Sequence, residues 1–289
     1  MSTAFRKALL RSAPALRREL PWIGHDDPWA ILVSEFMLQQ TQTSRVVGPW
    51  RAFLATFPTP ATCAAAPLGD VLRAWEGLGF HRRAKFLHEA ANAITVDFAG
   101  VVPSTVAELR QLPGIGAYTA NAVASFAFGR PVAILDTNVG RILARAVANE
   151  RLSPKRAQEL ADELRGEAES RLFNQAMLDL GAQFCTSRPQ CESCPVAREC
   201  RWRRDGGADP AVLSGGVSKK QSAFIGSDRQ IRGRLLAVLR ERPASTADLL
   251  ERSGTSDEGR FQTVLESLVS DGLVERNRTK WQLVGDVAR

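Results

Sequence analysis

Leu112-Pro-Gly-Ile-Gly-Ala-Tyr-Thr-Ala120 is the stretch whose reading decides the fold. Its proline and glycines stop one helix. Tyr118, Ala122 and Phe126 then recur at helical spacing, so the segment predicts two helices joined by a tight turn. Gly114 and Gly116 permit φ > 0 and put no side chain in the way. The second helix therefore opens with bare N–H groups at its positive end, which suits a phosphate. The same turn also serves as a packing joint that binds nothing. Leu135-Asp-Thr-Asn-Val139, whose Asp136 lies eighteen positions after Tyr118, leads into a further apolar face of Val139, Ile142, Leu143 and Ala146. Asp136 is placed to cap that helix, where the dipole and free N–H groups favour its ionised form. An ordinary capping aspartate has the same look.

Upstream of the turn, Trp29-Ala-Ile-Leu-Val-Ser-Glu-Phe-Met-Leu-Gln39 reads as a buried helix with one charge, Glu35. A carboxylate in an apolar helix is expensive to ionise, and a raised pKa is what a general acid at neutral pH needs. A glutamate at the solvent edge, or one paired with an arginine, is the plainer alternative. Gln39, Gln40 and Gln42 around Thr41 offer uncharged donors and acceptors at the end of this helix. Helices follow over Val46–Phe57, Pro67–Gly77, Arg82–Phe98 and Thr105–Gln111, punctuated by Pro58, Pro60, Gly79, Gly100 and Pro103. Arg82, Arg83 and Lys85 make a basic cluster beside Gly77-Leu-Gly-Phe80. At the N-terminus, Ser2–Leu20 predicts an amphipathic helix carrying Phe5, Leu9, Leu16 and Leu20, bent at Pro14.

The chain has 289 residues and a formal charge of +7, room for one large and one small domain with an acidic partner such as nucleic acid. No apolar run approaches ~20 residues, so no membrane span is expected. The N-terminus has no secretory apolar core, which predicts a cytoplasmic protein with reduced cysteines. Four of the five cysteines fall in Cys185-x5-Cys191-x2-Cys194-x5-Cys200, a metal-ligand spacing that suits zinc or an iron–sulfur cluster. Cys63, among alanines, reads as a small buried hydrophobe. Two helices are expected between Ser153 and Gly181. Asp205 to Gln221 has a linker composition. Helices at Ile231–Arg240, Ser245–Ser253 and Glu258–Gly272 follow. Strand pieces at Leu273–Glu275 and Trp281–Val284, flanking Arg276-Asn-Arg-Thr-Lys280, complete a winged-helix-like pattern that either binds DNA or packs on protein.

Taken in order, Leu20-Pro-Trp22, Ser34-Glu-Phe-Met-Leu-Gln-Gln-Thr-Gln42, Gly77-Leu-Gly79, Leu112–Thr119, Asp136-x-Asn138 and the cysteine cluster resemble the helix-hairpin-helix DNA glycosylase superfamily. Within it they are most similar to the MutY-type adenine DNA glycosylases. The resemblance covers roughly residues 15 to 203. It implies a mainly α, two-lobed helix-hairpin-helix fold over 1–205, with one lobe about 23–135 and an iron–sulfur lobe from 1–22 and 136–205. Residues 206–226 are then a linker and 227–289 a small winged-helix-like module. It also implies one [4Fe–4S] cluster on Cys185, Cys191, Cys194 and Cys200, and a monomer acting in the nucleoid on double-stranded DNA with a mismatched adenine.

By the same resemblance, Glu35 protonates the adenine, Asp136 stabilises the sugar cation, and Tyr118 and Asn138 complete the catalytic group. Gln40 wedges into the base stack. Gln39, Thr41, Gly79, Arg82, Gly114, Gly116 and Thr119 bind DNA, and Trp22, Leu38 and Gln175 line the adenine pocket. The roles suit the residues: breaking an N-glycosidic bond calls for one carboxyl as acid and another as carboxylate beside an oxocarbenium-like sugar. The adenine must first leave the duplex. Tyr118 stands where bifunctional relatives of the endonuclease III kind carry a lysine. A phenol cannot form a Schiff base, so a monofunctional reaction with water is implied.

Departures are visible. The first cysteine gap holds five residues where the family usually has six, Phe80-His81 replaces a common Tyr-Tyr, Gln175 replaces a common Glu, and Thr137 replaces the usual Gly. The tail is too short for the Nudix-like reader of 8-oxoguanine, a form similar to the actinobacterial branch. Two other readings are a glycosylase for thymine or uracil opposite guanine, and a non-catalytic zinc-containing DNA-binding protein. The second leaves Glu35 and Asp136 without a purpose.

Overall fold

The computed structural model describes residues 2–217 and 223–286. Its first helix, α1 (Ser2–Leu16), runs through Pro14 and buries Phe5, Leu9 and Leu16. Next come α2 (Pro28–Leu38), α3 (Val47–Thr56), α4 (Pro60–Ala65), α5 (Leu68–Ala74) and α6 (Arg82–Asp97). After them lie α7 (Val106–Leu109), α8 (Ala117–Phe128) and α9 (Thr137–Ile142), the last running into a wider π-type turn over Leu143–Ala148. The succession continues through α10 (Pro154–Arg165), α11 (Ser170–Gln183) and α12 (Arg201–Asp205). It ends with α13 (Asp228–Glu241), α14 (Thr246–Ser253), α15 (Glu258–Ser270) and an antiparallel pair, β1 (Val274–Asn277) and β2 (Lys280–Leu283). Among the described residues no helix is long and apolar enough to cross a membrane.

The helix ends follow local chemistry. Ser153, Ser245 and Asp257 cap α10, α14 and α15 by accepting from the N–H three residues on. The short α4 was not expected from the sequence, where Pro58 and Pro60 read as punctuation. Thr59 caps it, Thr62 returns the bond, and Pro60 occupies the first turn, where a missing N–H costs nothing.

Two compact units result. One takes Met1–Pro28, Ser104–Arg110 and Ile115–Lys220; its core includes Phe5, Leu9, Leu143, Phe173 and Met177, each at most 1% exposed. The segment after α12 belongs to this core. Ala211 and Ser214 are buried, Gly215 N–H donates to Leu152 O at 2.8 Å, and the Ser214 hydroxyl accepts from Leu152 N–H at 3.1 Å. Glycine is required there, because a Cβ on Gly215 would lie 2.6 Å from Pro154 Cα.

The other unit takes Trp29–Pro103, Gln111–Gly114 and Gln221–Arg289. Trp29, Phe36, Phe53, Trp75 and Leu87 fill its core, with Phe53 edge-on to Trp75 at 6.1 Å. The two indoles Trp29 and Trp50 donate to Phe57 O and Ala30 O, so neither brings an unsatisfied N–H into the interior. In the same unit α13, α14 and α15 pack Leu235, Leu249 and Leu265 together. The hairpin runs in the register Val274↔Leu283 to Asn277↔Lys280, and Ala244 pairs with Trp281 beside it.

Candidate active site

The expected site residues fall in both units, with Leu112 and Gly114 of the turn in the second and Gly116 in the first. In the first unit, Asp136 caps α9. Its Oδ1 accepts from Val139 N–H at 2.7 Å and its Oδ2 from Asn138 Nδ2 at 2.8 Å. Asn138 is held in turn by Arg141, whose Nη2 donates to Asn138 Oδ1 at 2.7 Å and whose Nε donates to Cys185 O at 2.6 Å. The helix that carries this chain lies close on α11, and only glycine allows the approach: a Cβ on Gly181 would stand 2.5 Å from Asn138 Cβ. On another side Thr137 Oγ1 donates to Gly216 O at 3.2 Å, and Gly140 leaves room for Gly215 O.

The sequence predicts an ionised Asp136 from its capping position alone. The structure adds an opposing effect. Burial pushes its carboxyl above the ordinary range, and the bonds from Val139 and Asn138 and the nearby Arg141 charge offset the rise without reversing it. Arg141 escaped the sequence reading, although its position one helical turn after Asn138 was available as a signal.

The turn in Leu112–Gly116 is divided by roles. Gly114 has φ +74° and its backbone lies flat on Phe86 and Phe36; a Cβ would be 2.5 Å from Phe86 Cβ. Gly116 needs no positive φ. It is extended at φ −86°, stands as the N-cap of α8, and has open space where a Cβ would point. Tyr118 and Thr119 follow in the first turn of α8, Tyr118 partly exposed and Thr119 buried. Trp22 is buried in the loop after α1, and Gln175 donates from α11 to Asp179, which also accepts from Arg18.

In the second unit Glu35 is 4% exposed within α2. Leu38 ends that helix, with Gln39, Gln40 and Thr41 beyond it and Gln40 in the left-handed region at φ 58°. Arg83, grouped by sequence in a basic cluster with Arg82 and Lys85, ties this segment to the Gly77–Phe80 loop. It is 7% exposed and donates to Phe36 O, Met37 O, Gln39 O, Thr41 Oγ1, Leu78 O and Gly79 O at 2.5–3.3 Å. A cation so placed satisfies carbonyls that the end of α2 leaves open. Burial lowers its pKa to about 10, which keeps it charged at neutral pH. Gly79 has φ +68°, and Arg82 is exposed, 5.5 Å from the Phe86 ring centroid.

The metal assignment is corrected. Cys185, Cys191, Cys194 and Cys200 line one cavity with Ile142, Leu180, Phe184 and Val196. Among the described residues, however, no group of three or more His, Cys, Asp or Glu side chains is arranged to hold a metal ion. Burial raises Cys185 and Cys200 and pushes Cys194 up to about 11, and the Arg145 guanidinium, with Nη1 3.5 Å from Cys185 Sγ, opposes the rise at Cys185. The expected [4Fe–4S] cluster and its four ligands are therefore not supported, and the same finding removes the zinc-containing alternative. Cys63 behaves as read, fully buried with its thiol pushed up to about 12.

Residues 33–166 match the HhH-GPD superfamily of base excision DNA repair proteins. The fold is similar to a solved thermostable thymine-DNA glycosylase at a TM-score of 0.65, with 28% identity over 71% of this chain and 97% of that one. An adenine DNA glycosylase of Mycolicibacterium smegmatis is 45% identical over 90% of this chain and 89% of its own length. One of Mycobacterium tuberculosis is 44% identical over 90% and 86%. The chain belongs to the adenine DNA glycosylases of the HhH-GPD superfamily, mainly helical enzymes of base excision repair that hydrolyse N-glycosidic bonds.

Proposed function

We propose that this chain removes adenine mispaired with 8-oxoguanine or guanine in double-stranded DNA, acting as a monomer and using water as the nucleophile. The observation that carries the reading is the hold on Asp136. Its two oxygens are fixed by Val139 N–H and Asn138, so a carboxylate of defined position is available to balance a sugar cation. A developing positive charge beside Asp136 favours its ionised form and opposes the effect of burial. Glu35 supplies the proton to the departing adenine from its apolar helix. Tyr118 stands by the sugar without an amine to offer, which leaves an intact abasic strand.

In this reading Gly114 and Gly116 hold a backbone phosphate; Thr119, being buried, contributes through its main chain. Gln40 enters the base stack from its left-handed turn, with Gln39 and Thr41 beside it, and Trp22, Leu38 and Gln175 enclose the adenine. Gly79 and Arg82 meet the DNA backbone, and the exposed Phe80 faces the base opposite the adenine. Residues 1–205 form the glycosylase domain and 227–289 a winged-helix-like module, the whole working in the cytoplasm at the nucleoid. The likeness to a thymine-DNA glycosylase favours a second reading, removal of thymine or uracil opposite guanine.

Single-turnover assays on duplexes with A opposite 8-oxoG, A opposite G, and T or U opposite G separate the two readings. Adenine release is expected in the first two, with strand breakage only after alkali or heat. Release of the pyrimidine alone rejects the proposal. Efficient borohydride trapping of the unaltered protein, as fast as adenine is lost, rejects its monofunctional part.

A further inference from the structure

The loop between α5 and α6 is gripped at both ends by the C-terminal module within the second unit. From α5, Arg73 forms a two-pronged pair with Asp286 at 2.9 and 2.6 Å and donates from Nε to Arg240 O at 3.1 Å. From the loop itself, Glu76 accepts from Arg240 Nη2 at 3.3 Å, and His81 Nε2 lies 3.4 Å from Arg240 Nη1. From α6, Lys85 Nζ donates to Asp271 O at 2.9 Å and Arg82 lies 3.4 Å from the Asp271 carboxylate. Two glycines permit this closeness. A Cβ on Gly69 would be 2.1 Å from Asp286 Oδ1, and one on Gly272 2.6 Å from Lys85 Nζ.

What lies between the anchors is strained. Gly77, Gly79 and Phe80 all have positive φ, at +77°, +68° and +47°. For a phenylalanine this conformation is unfavourable and persists only where the surroundings enforce it. Phe80 nonetheless presents its ring to solvent at 38% exposure, an aromatic face of the kind on which bases stack. Beneath the ring, the Arg83 guanidinium is 5.5 Å from its centroid. Among the described residues Arg240 touches both Glu76 and His81, on either side of Gly77–Phe80, and its side chain is only 13% exposed.

We infer that the C-terminal module is a brace for the Gly77–Phe80 loop, with Arg240 as the positioning residue, and that it sets opposing-base selectivity by fixing Phe80. The inference rests on the proposed reading that Phe80 meets the base opposite adenine. Hydrogen exchange of the full chain tests the brace without that reading. Arg240→Ala should increase exchange at residues 77–81, and Arg240→Lys should restore much of the protection; unchanged exchange in Arg240→Ala overturns the brace.

Single-turnover adenine release opposite 8-oxoG and opposite G then tests the consequence. Arg240→Ala should lower the ratio of the two rates about 5-fold, a coupling of ordinary size. It should lower the ratio no further in a chain already carrying Phe80→Ala. An equal effect of Arg240→Ala with and without Phe80 overturns the claim that the module acts through that ring. If exchange changes as expected while Phe80→Ala leaves the ratio untouched, the brace stands and the reading of Phe80 is what fails.

Discussion

Glu35 is one of nine consecutive buried residues of α2, Trp29 to Met37, and the other eight carry no charge. Asp136 heads a six-residue helix, and its placement draws on Asn138 and Arg141 next to it and on Gly181, Cys185 and Gly216 from well beyond its own helix. One carboxylate lies within a single apolar run, whose C-terminal carbonyls at Phe36 and Met37 are held by Arg83. The other is installed by a network whose members are up to eighty residues away in sequence. The distributed arrangement is exposed to substitutions that touch neither DNA nor the carboxylate.

The largest effects should come from the two carboxyls themselves. Glu35→Gln and Asp136→Asn should each slow adenine release by roughly 10²–10⁴, the usual worth of a general acid or of a charge that stabilises the transition state. DNA affinity, read by anisotropy, should change little, since phosphate contacts carry most of it. Near-normal single-turnover release by either variant removes that residue from the chemistry.

Next in size is a substitution that distinguishes the two arrangements. Gly181→Ala forces a methyl into the 2.5 Å approach to Asn138 Cβ. Overpacking of this kind costs about 1–3 kcal/mol, and here it also displaces the partner of Asp136. Adenine release should fall more than the melting temperature alone explains. Ser34→Ala, beside Glu35, removes only a hydroxyl that bonds within α2 to Ile31 O, and should leave the rate within about 2-fold. Equal losses in the two variants break the contrast between local and distributed placement.

A smaller effect is expected of Gly216→Ala. The residue sits at φ +84°, and a Cβ would meet Asp136 O and the Leu135 side chain near 3.0 Å. A left-handed alanine costs about 1–2 kcal/mol. Urea unfolding should show that loss, and single-turnover rates should fall modestly. If stability drops with no change in rate, Gly216 supports the fold alone.

These residues also mark what was legible in the sequence. The run around Glu35, the turn at Leu112–Gly116 and the cap at Asp136 were readable because each is a local pattern of apolar spacing, glycine or capping chemistry. The Gly- and Ser-rich stretch after Asp205 looked like a tether by composition. Part of it packs tightly instead, since Gly215 and Gly216 serve close approach rather than freedom. Arg83 was grouped with Arg82 and Lys85 by charge, and its burial follows from carbonyls of α2 some forty residues earlier. The cysteine spacing suggested ligands, but spacing carries no information about whether the thiols converge in metal geometry or are held protonated. Nor could the desolvation of Asp136 be read locally, because the groups that bury it come from other segments.

The smallest effect concerns that desolvation and is a matter of sign. The Asp136 carboxyl titrates near 3.8 in an unfolded chain and higher in the folded one, chiefly because of burial. Below 3.8 it is protonated in both states and contributes no difference. Between 3.8 and the folded value, the folded state still holds a proton that the unfolded state has lost, so stability falls across that window and levels off above it. Asparagine keeps the cap, since it ranks with aspartate at that position, and it removes the titration. The Asp136→Asn variant should therefore gain stability relative to the parent as pH is raised from about 4 to about 7.5, read as urea midpoints of both proteins. A carboxylate placed mainly by the helix dipole gives the opposite slope, with the variant losing ground as pH rises. That outcome would mean the network around Asp136 holds its charge more strongly than burial opposes it.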